Sequence, residues 1–380
     1  MNLVITRIDD VHIKVQCEPD VAYELNDYFT FSVPNAKFTP SFKNKVWDGK
    51  IRLFNILSKR IYSGLRRHVE TFAKERDYTV EYSNPADFCD VEFSLVEAKE
   101  SFTKWVAKPD IELRDYQLES FAHAIRNRRA LFVSPTASGK SLMIFLTAMQ
   151  LYEPKKKILI IVPTTSLVHQ MASDFGDYMQ KDPNTFVHRI LSGSEKSTNK
   201  PVVISTWQSI YKLPKAWFSE FNVAIGDEAH LFKAKSLTDI MGKLSQCPNK
   251  FGFTGTLDGT ETHKLVLEGL FGPVKKVTTT AELINNNTLS KFKIKAIILN
   301  YSDDIKQTHK ADTYPNEISF ITTHIPRHKF IVNLALSLKG NTLILFKNID
   351  HGKELHRMIS DKATGRELYY VDGGVDGEIR

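Results

Sequence analysis

Cysteine is scarce, with three in 380 residues, at Cys17, Cys89 and Cys247. They are scattered and no C-x-x-C pair occurs, so neither a zinc ribbon nor a disulfide framework is indicated, and a reducing compartment fits. No apolar run approaches the roughly 20 residues that a membrane-spanning helix needs. The N-terminus, M-N-L-V-I-T-R-I-D-D, turns acidic too early for a signal peptide. Internal repeats and low-complexity stretches are missing, and so is a nuclease constellation of two acids and a lysine on strands. Acid is in deficit: 44 Asp and Glu face 51 Lys and Arg, a net charge of +7 that leans toward a polyanionic partner. What remains is ordinary for a globular chain, 42% apolar and 25% charged. The length calls for two or three domains.

The chain is organised around residues 134–141, S-P-T-A-S-G-K-S. The apolar run 130–133 precedes them and the apolar stretch 142–151 follows. That is strand, tight loop, helix, the order a phosphate-binding loop requires. Gly139 lets backbone pass close to oxygen atoms, and the amides that open the next helix face negative charge. Lys140 would reach the β- and γ-phosphates, and Ser141 would offer its hydroxyl to Mg²⁺. The usual first glycine of the loop is replaced by Ser134. Alone, the stretch also reads as a plain loop before a helix. A second feature decides between them: the apolar run 223–226 ends in Asp227-Glu228-Ala229-His230. Adjacent carboxylates at the end of a buried strand are costly unless they hold an ion or do chemistry. Asp227 can hold the metal and Glu228 can orient and deprotonate an attacking water.

Residues 1–97 read as a small mixed α and β domain. Residues 3–8 and 11–15 form a strand hairpin, 18–28 a helix, 51–57 a strand, 64–76 a helix and 78–82 a strand. From position 37 to 76 there are eleven basic residues, among them Lys43, Lys45, Arg66 and Arg67, against three acids. Phe38, Phe42, Trp47, Phe54 and Tyr62 interleave with them, a composition suited to a phosphate backbone and unstacked bases. A solvated basic face over a small aromatic core is the plainer reading. Residues 97–110 read as a connection. Residues 98–288 then alternate strand and helix, as a parallel α/β sheet does, and every sharp polar cluster sits just past a strand's C-terminal end, where such sheets bind ligands. Residues 285–287, three asparagines, mark a hinge. Residues 289–380 repeat the pattern, with strands at 294–299, 342–346 and 367–371 and helices at 327–338 and 352–359. They read as the opening, incomplete part of a second α/β domain.

Six clusters occur in a fixed order: Leu113-Arg114-Asp115-Tyr116-Gln117, then Pro135 to Ser141, Val162-Pro163-Thr164-Thr165-Ser166, Thr206-Trp207-Gln208-Ser209, Gly226-Asp227-Glu228-Ala229-His230, and Thr254-Gly255-Thr256. In this the chain resembles the superfamily 2 helicases whose second motif reads Asp-Glu-Ala-His, and among them the recombination and repair helicases of bacteriophages. The resemblance implies a RecA-like motor domain, part of a second one, ATP and Mg²⁺ as cofactors, and DNA as partner, branched or at single-strand/duplex junctions, with RNA–DNA hybrids included. It implies a monomer in the cytoplasm of a bacterial host.

Carried over by residue, the resemblance gives Gln117 the adenine. It gives Pro135, Thr136, Ala137, Ser138, Gly139, Lys140 and Ser141 the phosphates, Ser141 and Asp227 the metal, and Glu228 the hydrolytic water. His230 would connect the nucleotide to Thr254 and Thr256, which relay domain movement. Thr164, Ser166, Ser192, Gly193, Thr206 and Gln208 would lie along the sugar-phosphate track. Small hydroxyl residues at helix starts bind phosphate without reading bases; each is equally a plain helix cap. The family's late arginine motif, whose arginines face the γ-phosphate, is not found in this sequence, so binding of ATP without hydrolysis or unwinding is also expected of it. An RNA helicase and an ATP-switched nucleic-acid-binding module remain alternatives, and so does a duplex-translocating restriction motor.

Overall fold

A computed structural model describes residues 1–257 and 259–373. The chain divides into two compact units, Met1–Lys291 and Phe292–Arg380.

The first unit opens with the hairpin β1 (Asn2–Arg7) and β2 (His12–Gln16), paired antiparallel. Asp9 makes its turn, accepting the amides of Val11 at 2.7 Å and His12 at 2.8 Å. α1 (Pro19–Tyr28), the short strands β3 (Thr30–Ser32) and β4 (Lys50–Arg52), the one-turn helix α2 (Pro40–Lys43), β5 (Arg60–Tyr62), α3 (Arg66–Lys74) and β6 (Thr79–Tyr82) follow. The small sheet has the order β5-β2-β1-β6, and β3 pairs with β4 in a separate ribbon. The strand expected over 51–57 is confined to β4, because the chain turns at once to Asn55, which bridges to Arg60.

The expected connection at 97–110 is a helix, α4 (Leu95–Trp105). Ser94 caps it and Glu97 returns the bond to the Ser94 amide at 2.6 Å, the reciprocal box that satisfies two orphan donors. Trp105 packs against the motor core. α5 (Asp115–Asn127) then leads into the large sheet: β7 (Arg129–Val133), α6 (Lys140–Gln150), β8 (Lys157–Val162), α7 (Thr165–Met179), β9 (Val187–Ile190), β10 (Val202–Thr206), the short helices α8 (Trp207–Ile210) and α9 (Lys215–Phe218), β11 (Phe221–Asp227), α10 (Lys235–Lys243), β12 (Asn249–Thr254), α11 (Glu261–Phe271), β13 (Val274–Lys276) and α12 (Thr280–Asn285). Its order is β13-β7-β12-β11-β8-β10-β9, and every pairing is parallel. This is the RecA-like helicase architecture. Ile158, Ile160 and Val162 face one apolar layer while Leu159 and Ile161 face the other, which is why the strand reads as an unbroken apolar run.

The layer under Leu159 and Ile161 is continuous with the core of the small sheet, which includes Leu3, Ile5, Val69 and Phe72. Backbone contact is close as well: a Cβ on Gly64 would lie 2.0 Å from the Glu268 carbonyl oxygen of α11. Buried charge fastens the hairpin turn to the strands' N-terminal ends. Lys250, 1% exposed, donates to the Asp10 carbonyl at 2.5 Å, and Arg129 donates to the same oxygen. Burial, and after it Arg129, pushes the Lys250 ammonium down to about 7 from its ordinary 10.5. The unfolded chain therefore holds one more proton on Lys250 above pH 7, so unfolding free energy rises with pH there. The buried Cys247 thiol, pushed up to about 12 from 9.0, opposes this only above pH 9. Urea denaturation between pH 7 and 9 should show a rise of about 1 kcal/mol per pH unit that Lys250→Met lacks.

The second unit is described as four helices: α13 (Asp303–His309), α14 (Tyr314–Thr323), α15 (Ile325–Ser337) and α16 (Ile349–Ser360). Val332, Ala335, Leu355 and Ile359 make its core. The helices expected at 327–338 and 352–359 are α15 and α16. The strands expected at 294–299, 342–346 and 367–371 are not formed among the described residues. Ile294, Leu343 and Leu345 are 81%, 82% and 85% exposed: without a neighbouring strand to pair its backbone and cover its side chains, an apolar segment has no sheet to join.

Candidate functional site

The sheet order sorts the polar clusters into two groups on one edge. All seven strands point the same way, so the loops after them share that edge. β7, β12 and β11 are neighbours, which sets Thr254-Gly255-Thr256 between the phosphate loop and the acid pair. β8, β10 and β9 carry Thr164 and Ser166, Thr206 and Gln208, and Ser192 and Gly193 along the rest of the edge.

The loop at residues 134–141 is fixed by one bond to β12 and by bonds within itself. The Ser134 amide donates to the Thr254 carbonyl at 2.8 Å. The Ser134 and Ser138 hydroxyls lie 2.5 Å apart, and Ser138 Oγ donates to the Pro135 carbonyl at 2.6 Å. Ser134 takes no positive φ, so a Cβ is tolerated where the usual loop has glycine, and its buried hydroxyl is satisfied within the loop. Left-handed backbone falls instead at Ala137 (φ 64°) and Gly139 (φ 82°). A Cβ at Gly139 would lie 2.1 Å from Gln117 Nε2. α6 starts at Lys140, so its first amides have no acceptor within the helix and point out of its end. Thr136 and Ala137 stand exposed at the tip.

Gln117 is 3% exposed and acts as a latch on this loop. Its Nε2 donates to the Ser138 carbonyl at 2.9 Å and its Oε1 accepts the Arg114 amide at 3.0 Å. Arg114 Nη1 reaches the Ala137 carbonyl at 3.2 Å, and the Tyr116 hydroxyl reaches the Ser138 carbonyl at 3.2 Å. The start of α5 thus holds three side chains, Arg114, Tyr116 and Gln117, against the loop.

Lys140 Nζ lies 3.2 Å from Glu228 Oε1. Glu228 is itself in the left-handed region, φ 50° and ψ 51°. Asp227, 7% exposed, accepts the Glu228 amide at 2.9 Å. Burial pushes the Asp227 carboxyl up, and the Lys140 ammonium is the main force holding it down. His230 Nδ1 lies 3.3 Å from Glu228 Oε2 and 2.9 Å from Thr254 Oγ1. Thr254 donates its one hydroxyl proton to the Thr256 carbonyl at 2.9 Å, so it accepts from His230 Nδ1–H. A chain of contacts therefore runs Lys140, Glu228, His230, Thr254, Thr256.

Ser141 has neighbours that the sequence reading did not single out. Its hydroxyl interacts with Asp174 and Tyr178 of α7, and burial pushes both of those groups up. On the rest of the edge, Thr164 caps α7 by accepting the Leu167 amide at 3.3 Å. Thr206 is buried, 3.0 Å from the Ser209 hydroxyl. Ser166, Ser192, Gly193 and Gln208 are exposed. The basic run of the small domain splits. Lys43 and Lys45 are exposed on the excursion between β3 and β4. Arg66 pairs with Glu70 at 3.2 Å and lies against the Tyr82 and Phe88 rings, and Arg67 donates to Asn127 at 3.0 Å.

These residues fit a nucleoside triphosphate with a divalent cation. A left-handed glycine opens a helix N-terminus, a lysine and a serine follow it, and a buried carboxylate, which burial pushes up and that lysine chiefly holds down, stands opposite.

Residues 3–83 match the family described as "DNA helicase UvsW, N-terminal", and residues 110–259 the family "Type III restriction enzyme, res subunit". The ATP-dependent DNA helicase uvsW of Enterobacteria phage T4 is 34% identical over 389 aligned residues, which take in 98% of this chain and 75% of that relative. The DNA 3'-5' translocase XPB2 of Sulfurisphaera tokodaii is 26% identical over 282 residues, 74% of this chain and 57% of that relative. A crystal structure of T4 UvsW, 33% identical, superposes with a TM-score of 0.66 over 100% of this chain and 76% of that one. The chain belongs to the UvsW family of superfamily 2 DNA helicases.

Proposed function

We propose that the protein is an ATP-hydrolysing motor that acts on branched DNA: forks, Holliday junctions, and R-loops with their RNA–DNA hybrid. It serves recombination, replication and repair as a monomer in the cytoplasm of a bacterial host. The three-part division is proposed with it: residues 1–97 hold DNA, 98–288 bind ATP and grip one strand, and 289–380 contribute to the second motor domain. The observation that carries this reading is the sheet order, which puts a phosphate loop and acid pair on one half of an edge and a row of small hydroxyl residues on the other half.

Ser141 and Asp227 would hold Mg²⁺, which would supply charge neutralisation for the phosphates. The backbone from Pro135 to Gly139 cradles the phosphates, with Thr136, Ala137 and Ser138 at the turn. Lys140, the cation already at the site, pairs with phosphate oxygens. Glu228 orients and deprotonates the attacking water. Gln117 keeps one N–H and one lone pair beyond its latch contacts, the complement of the donor and acceptor on adenine. His230 reports the state of Glu228 to Thr254 and Thr256. Thr164, Ser166, Ser192, Gly193, Thr206 and Gln208 contact phosphates and leave bases unread, as a motor on any sequence requires.

Lys43 and Lys45 make phosphate contacts in the small domain, with Arg66 and Arg67 at its second basic face. Lys43→Ala with Lys45→Ala should lower the slope of log affinity against log salt by about 1 to 2, read from titrations of a labelled duplex at several salt concentrations. The branched-substrate reading is tested by phosphate release at saturating ATP with a four-way junction or a linear duplex of equal nucleotide content. Stronger stimulation by the junction is expected. Equal stimulation by both would leave a DNA motor without branch preference.

A further inference from the structure

We propose that the excursion between β3 and β4 is a binding site for unpaired DNA bases, separate from the strand track on the motor sheet. This rests on the DNA-motor reading above and specifies which form of DNA the small domain takes.

The excursion, residues 33–49, exposes apolar surface that its fold does not require. Phe38 is 65% exposed, Phe42 38% and Val46 82%. The other aromatics of the same basic run are spent on packing: Phe54 is 1% exposed, and Tyr62 stacks on His12 with ring centroids 5.3 Å apart. Within that basic run, this segment is where open rings stand beside open cations.

It is nonetheless a built loop. The Val33 amide donates to the Gly49 carbonyl at 2.8 Å, Trp47 Nε1 donates to the Lys50 carbonyl at 2.9 Å, and Thr39 Oγ1 donates to the Ala36 carbonyl at 2.7 Å. Gly49, at φ 77°, lies under the Phe42 ring, where a Cβ would come within 3.1 Å of it. The Phe42 and Trp47 rings are therefore backed by the loop before any ligand arrives, which lowers the ordering cost of binding.

Charge points to the occupant. Lys37, Lys43, Lys45, Lys50 and Arg52 face one carboxylate, Asp48. Arg52 at 2.5 Å and the Lys50 amide at 3.1 Å already occupy that carboxylate. Lys37 Nζ sits 5.2 Å from the Phe38 ring centroid. Phe42, Trp47, Lys43, Lys45 and Arg52 line one shallow groove. Cations attract the phosphates of any nucleic acid, but an aromatic plane stacks only on a base face that a duplex keeps covered. Open rings among open lysines therefore select single strand over duplex.

The test is fluorescence anisotropy on the whole chain at one salt concentration, with a labelled 20-nucleotide oligo-dT and a labelled 20-base-pair duplex. Phe38→Ala with Phe42→Ala should weaken single-strand binding about tenfold or more and duplex binding less than twofold. Phe42 touches Gly49, so Phe38→Ala is made alone as well; the more exposed ring should cost at least about threefold on the single strand. Lys43→Ala with Lys45→Ala should weaken both substrates. Equal losses on the two substrates, or no loss in the aromatic variants, would overturn the inference and leave the motor reading standing. A wild-type chain that binds neither substrate would overturn the motor reading and this inference together.

Discussion

Replacing Glu228 with Gln should cut DNA-stimulated ATP turnover about 1000-fold, near the middle of the range for loss of a general base, and leave ATP affinity within about threefold. Gln keeps the size and hydrogen-bonding capacity that Glu228 uses toward His230, 3.3 Å away. It loses the negative charge and the basic oxygen. Lys140, 3.2 Å from that carboxylate, loses an ionic partner, so its ammonium is at least as available to phosphate as before. Binding and chemistry should therefore separate, with kcat lost and affinity held. Phosphate release and an equilibrium nucleotide titration on the same preparation read the two quantities. A parallel fall in both would mean that Glu228 acts by shaping the loop and not on the water.

Lys140→Ala should do the opposite and weaken ATP binding about 100-fold, the scale of one or two charge-assisted phosphate contacts. The variant also removes the ammonium that does most to hold the Asp227 carboxyl down. Asp227 is already pushed up by burial, with Lys140 as its chief counterweight, so its carboxyl should rise further. Any residual metal-dependent nucleotide binding should then fall off at a higher pH in Lys140→Ala than in the wild type. Competition between ATP and a fluorescent analogue across pH measures both effects. Unchanged affinity in the variant would remove Lys140 from the phosphate site.

The motor sheet was readable because its signals are local. Buried parallel strands are unbroken apolar runs, as at 157–162, and each strand that ends in a polar cluster declares which end faces ligand. The small hairpin was readable from alternation around Asp9 and Asp10. The sequence reads as a connection where α4 forms, although Ser94 and Glu97 carry a helix-start signature. The strands expected in the second unit failed for the converse reason. A strand is defined by its neighbours, and apolar periodicity at 342–346 carries no information on whether a neighbour is there.

At the site, residue types were legible and their partners were not. Gln117 reads as an adenine contact, and spacing does not reveal that its amide also latches the Ser138 carbonyl, 21 residues on, and the Arg114 amide. Ser141 interacts with Asp174 and Tyr178 because α6 packs on α7. The split of the basic run had the same cause: Arg66 and Arg67 are surface-like in sequence but find Glu70 and Asn127 in the fold. No composition argument separates them from Lys43 and Lys45.

The central claim is that the loop at residues 134–141 and the acid pair form one ATP site coupled to DNA. It is tested most directly by titrating the wild-type chain with a fluorescent ATP analogue and Mg²⁺, with and without a forked DNA. One saturable site is expected, tighter when DNA is bound, because coupling between two ligands is reciprocal. The same affinity with and without DNA, or no saturable binding, would contradict the account.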